Sequence, residues 1–179
     1  HDWNERIAAE GYGPNCAAKV LGPDGTLRRL INNYAHLSFN VGPTLLLWLK
    51  IHEPLIYQAM VSADVESRTR FDGCGSAMAQ PFHHVILPLQ SAVDKQTQVH
   101  WGLRTFEHCY GRKAEGMWLP ETAVDLETLA CLQRAGIRFT VLAPHQIEAI
   151  RFQGQHTWHG VDEKTLPGNR PFQIKLPTG

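Results

Sequence analysis

Gly116-Met117-Trp118-Leu119-Pro120-Glu121 sets one carboxylate directly after a short apolar run that stops at a proline, with an indole three residues before it. A carboxylate can serve as nucleophile, as general base or, when protonated, as general acid. An indole can cover the apolar face of a pyranose ring. The pair suits sugar chemistry. A plainer role is open to the same glutamate, which would also be favoured at the start of the following helix by the helix dipole. The hexapeptide alone does not separate the two.

Other polar residues follow apolar runs in the same manner. Asn40, Gln80, His83 and His84, His145 and Gln146 each lie just after a candidate strand. In a parallel α/β barrel or open sheet such loops converge at the carboxyl ends of the strands. Amides and imidazoles hydrogen-bond hydroxyl groups, so their convergence with Glu121 and Trp118 has the composition of a sugar site. Taken singly, each is an ordinary turn or loop residue, and what marks them as a group is their shared position. The neighbours His83 and His84 tend to point apart in an extended loop, and no HxH or HxxxH partner lies nearby, so no metal site is expected. No GxSxG elbow, glycine-rich phosphate loop or paired Cys/His arrangement is present, and no cofactor is expected.

The elements that must carry these residues alternate. Ala35 to Asn40 reads as a strand, Gly42 as a break and Pro43 as the first turn of a helix with Leu45, Leu46, Trp48 and Leu49 on a wide apolar face. A second helical piece starts near Glu53-Pro54 and carries Leu55, Ile56, Met60 and Val61. A short strand around Ser76 to Gln80 leads into a proline-bounded loop from Pro81 to Pro88. Asp94 is expected to cap the next helix, on which Val99, Leu103, Phe106 and Tyr110 form one stripe before Gly111 ends it. After the strand before Glu121, Asp125 to Ala135 has helical spacing, with Leu126, Leu129, Ala130 and Leu132 as the buried side. Ile137 to Ala143 is a fourth buried run, and Gln153 to Gly160 an irregular or hairpin insertion. Strand–helix alternation with apolar strands implies a parallel sheet.

Composition narrows the classes further. The 179 residues, 43% of them hydrophobic, suffice for one domain with a core. Lys+Arg and Asp+Glu are 17 each, so charge gives no reason to expect a nucleic-acid or anionic-membrane partner. No run approaches the ~18–20 apolar residues of a membrane span. Cys16, Cys74, Cys109 and Cys131 are far apart, which argues against zinc knuckles and redox pairs and for reduced thiols in a cytoplasmic protein. The first residue is His1 rather than a methionine, no basic-then-apolar run precedes Asp2-Trp3-Asn4, and Phe172 to Pro177 resembles a strand entering something beyond, so both ends are expected to be cut and the chain to be a piece of a larger protein. Asp2, Glu5 and Glu10 lie in a polar segment expected to be solvated.

Gly116 to Val124 closely resembles the nucleophile motif of glycoside hydrolase family 57, the α-glucan-acting amylases, glucanotransferases and branching enzymes. His1 to Ile7, Ser38 to Leu46, and His84 to Leu89 with Asp94-Lys95 fit the α-amylase/α-mannosidase-like subgroup in the same order, so the likeness runs to about Gln146. The resemblance implies a partial (β/α)7 barrel, TIM-like with parallel strands and truncated at both ends, forming one incomplete domain over 1–179. It implies an α-glucan oligosaccharide or polysaccharide as substrate and Glu121 as the nucleophile of a retaining mechanism. A second carboxyl about 5–5.5 Å away would then protonate the leaving oxygen. Trp118 would line the sugar cleft, with His84 and His145 near the site and Asn40 and Gln80 as further substrate contacts. The family's amino-terminal His-Gln-Pro-type motif is missing, and its general acid, an aspartate, is expected beyond Gly179. No acid here, Asp162 and Glu163 included, sits in a matching motif, and the strand near Met78 lacks the glutamate some members carry. The isolated chain is therefore expected to be inactive. The alternatives are a non-catalytic carbohydrate-binding barrel and, less well matched, a metal-dependent polysaccharide deacetylase. Oligomeric state is not legible.

Overall fold

The computed structural model describes residues 2–168 and 170–177 of the chain. His1, the first residue of the amino-terminal motif, lies outside them. Asp2 caps α1 (Trp3–Ile7) in a reciprocal capping box with Glu5, and a π-helical turn (Ala8–Tyr12) and α2 (Gly13–Cys16) continue it. An antiparallel hairpin follows, β1 (Ala18–Leu21) and β2 (Leu27–Ile31). Sequence reading missed this hairpin, although Pro23-Asp24-Gly25 between two apolar stretches is a turn signature.

The functional half is built on short parallel pairings. A 3-10 turn (Asn33–Ala35) leads to β3 (Phe39–Asn40), which pairs in parallel with β4 (Ala77–Met78). Ala79 then bridges Met117, and Gly116 bridges Phe139, both in parallel. Four segments thus stand side by side in chain order. Between the first two lie α3 (Pro43–His52) and α4 (Pro54–Arg68), each opening on proline. Between the next two lies α5 (Ala92–Tyr110), and α6 (Leu126–Arg134) precedes the last. A small antiparallel pair, β5 (Ala149–Ile150) with β6 (His159–Gly160), closes the region read as a hairpin insertion.

The core fills the space between strands and helices. Ala77, Ala79, Met117 and Leu119 from the strands meet Leu46, Leu49, Met60, Val99 and Phe106 from the helices, all nearly inaccessible. Close approach is enforced at one backbone position. A Cβ at Gly102 would lie 1.9 Å from the Gln80 carbonyl oxygen, so only glycine lets α5 press against the end of the second strand.

Several sequence expectations need correction. The strand expected over Ala35 to Asn40 is two residues long, because Asn32 caps a 3-10 turn over its first part. Asp94 is not the cap of α5: Ser91 is, accepting from the Asp94 N–H at 3.2 Å, while Asp94 sits in the first turn. On α6 the buried face is Thr128, Cys131 and Leu132, and Leu126 is exposed, because Asp125 caps the helix and its first turn faces outward. Leu55 opens α4 in the same exposed position. The run from Ile137 to Ala143 pairs only at Phe139, whose ring is half exposed, since a single neighbouring segment flanks it. Phe172 to Pro177 forms no strand among the described residues. All four cysteines are free thiols.

Candidate active site

Glu121 is carried by a 3-10 turn (Pro120–Thr122) at the carboxyl end of the third parallel segment. Met117 and Trp118 tie that segment to both neighbours: the Met117 N–H donates to the Phe139 carbonyl at 3.2 Å, and the Trp118 N–H to the Ala79 carbonyl at 2.8 Å. Leu119 and Pro120 are buried and anchor the turn from below. The chain then leaves ordinary backbone space. Glu121 and Thr122 have φ of 55° and 54°, left-handed values that few non-glycine residues adopt. Such outliers gather where a side chain must be aimed.

The result is an outward carboxylate. Its side chain is 73% exposed, and its Oε1 lies 3.1 Å from His84 Nε2, on the loop after the second strand. Neighbouring loops therefore deliver an acid and an imidazole to one point, as their order along the sheet requires. The His84 loop is itself anchored. The Gln98 side chain accepts from the His83 N–H at 2.8 Å and meets His83 Nδ1 at 3.2 Å, and the Phe82 N–H donates to the Gln98 carbonyl at 3.0 Å. His83 thus points to α5 and His84 to Glu121, the divergence expected of neighbours in an extended loop.

The other residues fall into two groups. Asn40 and Trp118, both half-buried, stand at the carboxyl ends of the first and third segments. His145 is exposed in the 3-10 turn Pro144–Gln146 after the fourth, with Nδ1 3.9 Å from the Glu163 carboxylate. Gln80, by contrast, is buried, with its Oε1 facing Gly42 at the foot of α3. Gln146 binds the Thr122 carbonyl directly at 2.8 Å.

Two concave features of the described residues lie elsewhere. A gap of about 10 Å³ sits behind the strands between Val41, Leu46, Gln80 and Phe106, and an open groove of about 400 Å³ runs between α5 and α6 past His100 and Cys131. Geometry favours the Glu121 face over both, since only there do polar groups from successive strand ends meet. Among the described residues, no cluster of three or more His, Cys, Asp or Glu side chains is placed to hold a metal.

Two charged clusters that sequence reading missed support this face from behind. Asp64, fully buried on α4, accepts from Arg112 Nε and from the Arg112 terminal nitrogen at 2.8 Å each, and from the Ala77 N–H at 2.8 Å. Lys95, buried on α5, binds Glu127 at 2.9 Å and Asp125 at 3.4 Å, tying α5 to the start of α6 just beyond the Glu121 turn. Partial desolvation raises the Asp125 carboxyl, but hydrogen bonding at Thr128 and the Lys95 charge outweigh it and its pKa falls below the ordinary value. Desolvation lowers Lys95, yet its bond to Glu127 and the charge of Asp125 prevail and its pKa is raised.

A small sheet of parallel segments with helices between them, and polar residues at the carboxyl ends of the segments, defines a mixed α/β protein. Residues 72–151 match the model for glycosyl hydrolase family 57. The stretch that holds both His84 and Glu121 lies inside that match, and the resemblance carried by its motifs is borne out there. A comparison with curated proteins gives no match. The crystal structure of 4-alpha-glucanotransferase from Thermococcus litoralis is similar over 67% of this chain and 18% of that one, at 21% identity and a TM-score of 0.51. That likeness is one of fold. The GH57-type branching enzyme from the hyperthermophilic archaeon Pyrococcus horikoshii aligns over 54% of this chain and 20% of that one, at 19% identity and a TM-score of 0.37. This chain thus spans about a fifth of the length of either. Among the described residues no helix is long and apolar enough to cross a membrane.

Proposed function

We propose that this chain is the nucleophile-bearing part of a retaining glycoside hydrolase or transglycosylase that acts on α-glucans. Glu121 attacks the anomeric carbon, and a second carboxyl group protonates the departing oxygen. One observation carries the reading: inside the family 57 segment, an outward carboxylate at a strand end is met at 3.1 Å by an imidazole from the adjacent loop. Trp118 at the same strand end supplies an aromatic surface for the ring, and His145 and Asn40 supply hydrogen-bonding groups at neighbouring strand ends. Gln80 acts from beneath, since it is buried. We read the four parallel segments in chain order as part of a (β/α)7 barrel truncated at both ends, with residues 1–179 as one incomplete domain.

The name of the first solved structure, a 4-alpha-glucanotransferase, supports α-glucans as the substrate class. The measurement is mass spectrometry of the complete protein after treatment with a 2-deoxy-2-fluoro-α-glucosyl fluoride. The glycosyl mass is expected on the peptide containing Glu121, and a label on another carboxylate would remove this glutamate from the role. The isolated 179-residue chain, with one carboxylate at the site, is expected to hydrolyse no glucan.

A further inference from the structure

Two consecutive left-handed residues are unusual, and here the second is a β-branched threonine. That region is sterically unfavourable for L-residues other than glycine, asparagine and aspartate. It persists where the surroundings over-determine it. Two bonds within the turn contribute, from the Thr122 N–H to the Leu119 carbonyl and from the Ala123 N–H to the Pro120 carbonyl, both 3.0 Å. The third comes from a different loop. Gln146 Nε2 donates to the Thr122 carbonyl at 2.8 Å, while its Oε1 accepts from the Ala143 N–H at 2.7 Å. The Gln146 N–H also donates to the Ala143 carbonyl at 3.0 Å, which fixes the turn that bears it. Both ends of the amide are thus engaged, and Gln146 and Thr122 are each half-buried. The side chain spans the loop after the fourth segment and the turn after the third.

We propose that Gln146 is a positioning residue: by holding the Thr122 carbonyl it keeps the Glu121–Thr122 backbone left-handed and the carboxylate aimed at the face shared with His84. Its catalytic consequence rests on the reading of Glu121 as nucleophile, whereas its effect on the backbone does not. Covalent attack on an anomeric carbon demands alignment, and a misplacement of about 1 Å can cost on the order of 100-fold in rate. An amide suits the task because it donates at one end and accepts at the other. Alanine does neither. Glutamate, when ionised, keeps only the acceptor.

The test uses the complete protein with two readouts, amide hydrogen exchange at Thr122 and Ala123 and the rate of fluorosugar labelling at Glu121. In Gln146→Ala both amides are expected to exchange about ten-fold faster or more, and labelling to slow about ten-fold or more. Adding Thr122→Asn to that variant should return most of the labelling rate, since asparagine tolerates the left-handed region without the lost bond. Wild-type exchange rates in Gln146→Ala would overturn the proposal. So would a labelling loss that Thr122→Asn fails to repair, which would point to direct contact between Gln146 and the sugar. If the wild-type protein takes no label at Glu121, the nucleophile reading fails, and the exchange rates still decide the backbone claim. Should Gln146→Ala fail to fold, Gln146→Glu removes only the donation to Thr122 and carries the same comparison.

Discussion

Glu121 and His84 come from segments 37 residues apart and meet because the second and third strands are neighbours. Both side chains are well exposed, so the bond between them is a weak source of stability, and the use proposed for it is orientation. His84→Ala should slow fluorosugar labelling of Glu121 about five-fold, the equivalent of roughly 1 kcal/mol, and leave the urea unfolding midpoint unchanged. An unaltered labelling rate would leave His84 without a part in the chemistry. Glu121 was legible in sequence as a candidate, since a carboxylate after Trp118-Leu119-Pro120 stands in a motif. Its left-handed backbone was not, because no glycine or asparagine marks the turn and the conformation is imposed by contacts such as Gln146. The burial of Gln80 was likewise hidden, for it follows from the missing Cβ at Gly102, which brings α5 close to the strand end.

At the scale of elements, the strand ends are held by side chains rather than by long ladders, which here run to two residues. Asp64 joins α4 to the start of β4 through the Ala77 N–H and to the approach of the third strand through Arg112. Arg112 in turn donates to the Ala77 carbonyl at 2.9 Å and lies over the Phe106 ring. Removing one member leaves a buried guanidinium and a buried N–H without their main partner. Asp64→Ala should therefore lower unfolding free energy by about 3 kcal/mol in a urea titration, and a loss under about 1 kcal/mol would deny the cluster its structural role. Helices α3, α5 and α6 could be read from periodicity and from Gly42, Pro43 and Gly111. The cap of α5 went to Ser91 rather than Asp94 because both are good caps, and the choice depends on where the preceding turn (Leu87–Leu89) delivers the chain. Charged residues such as Asp64, Arg112 and Lys95 look like surface residues in sequence, and only tertiary pairing makes their burial tolerable.

Across the whole molecule, the Lys95 cluster ties α5 to the start of α6, and its response to pH follows from two opposite shifts. The Asp125 carboxyl lies below its unfolded value near ~3.9, so its contribution is present above that pH and disappears as pH falls through the folded pKa. Lys95 lies above its unfolded value near ~10.4, so its contribution is present at neutral pH and disappears as pH rises through the folded pKa. Urea midpoints should decline at both extremes. In Lys95→Met both declines should become shallower, with an alkaline decline remaining from buried thiols and phenols such as Cys109 and Tyr110, whose burial pushes their pKa values up, and identical profiles for the two proteins would contradict this linkage. The central claim, that a Glu121 carboxylate oxygen is the nucleophile that bonds to the anomeric carbon as the glycosidic oxygen departs, is tested most directly by Glu121→Gly in the complete protein. Glycine accepts the left-handed backbone at this position without strain. With an α-glucosyl fluoride and added azide, the variant should form a β-glucosyl azide, the azide entering from the side the carboxylate occupied. Formation of no azide adduct, or of an α-glucosyl azide, would contradict the account.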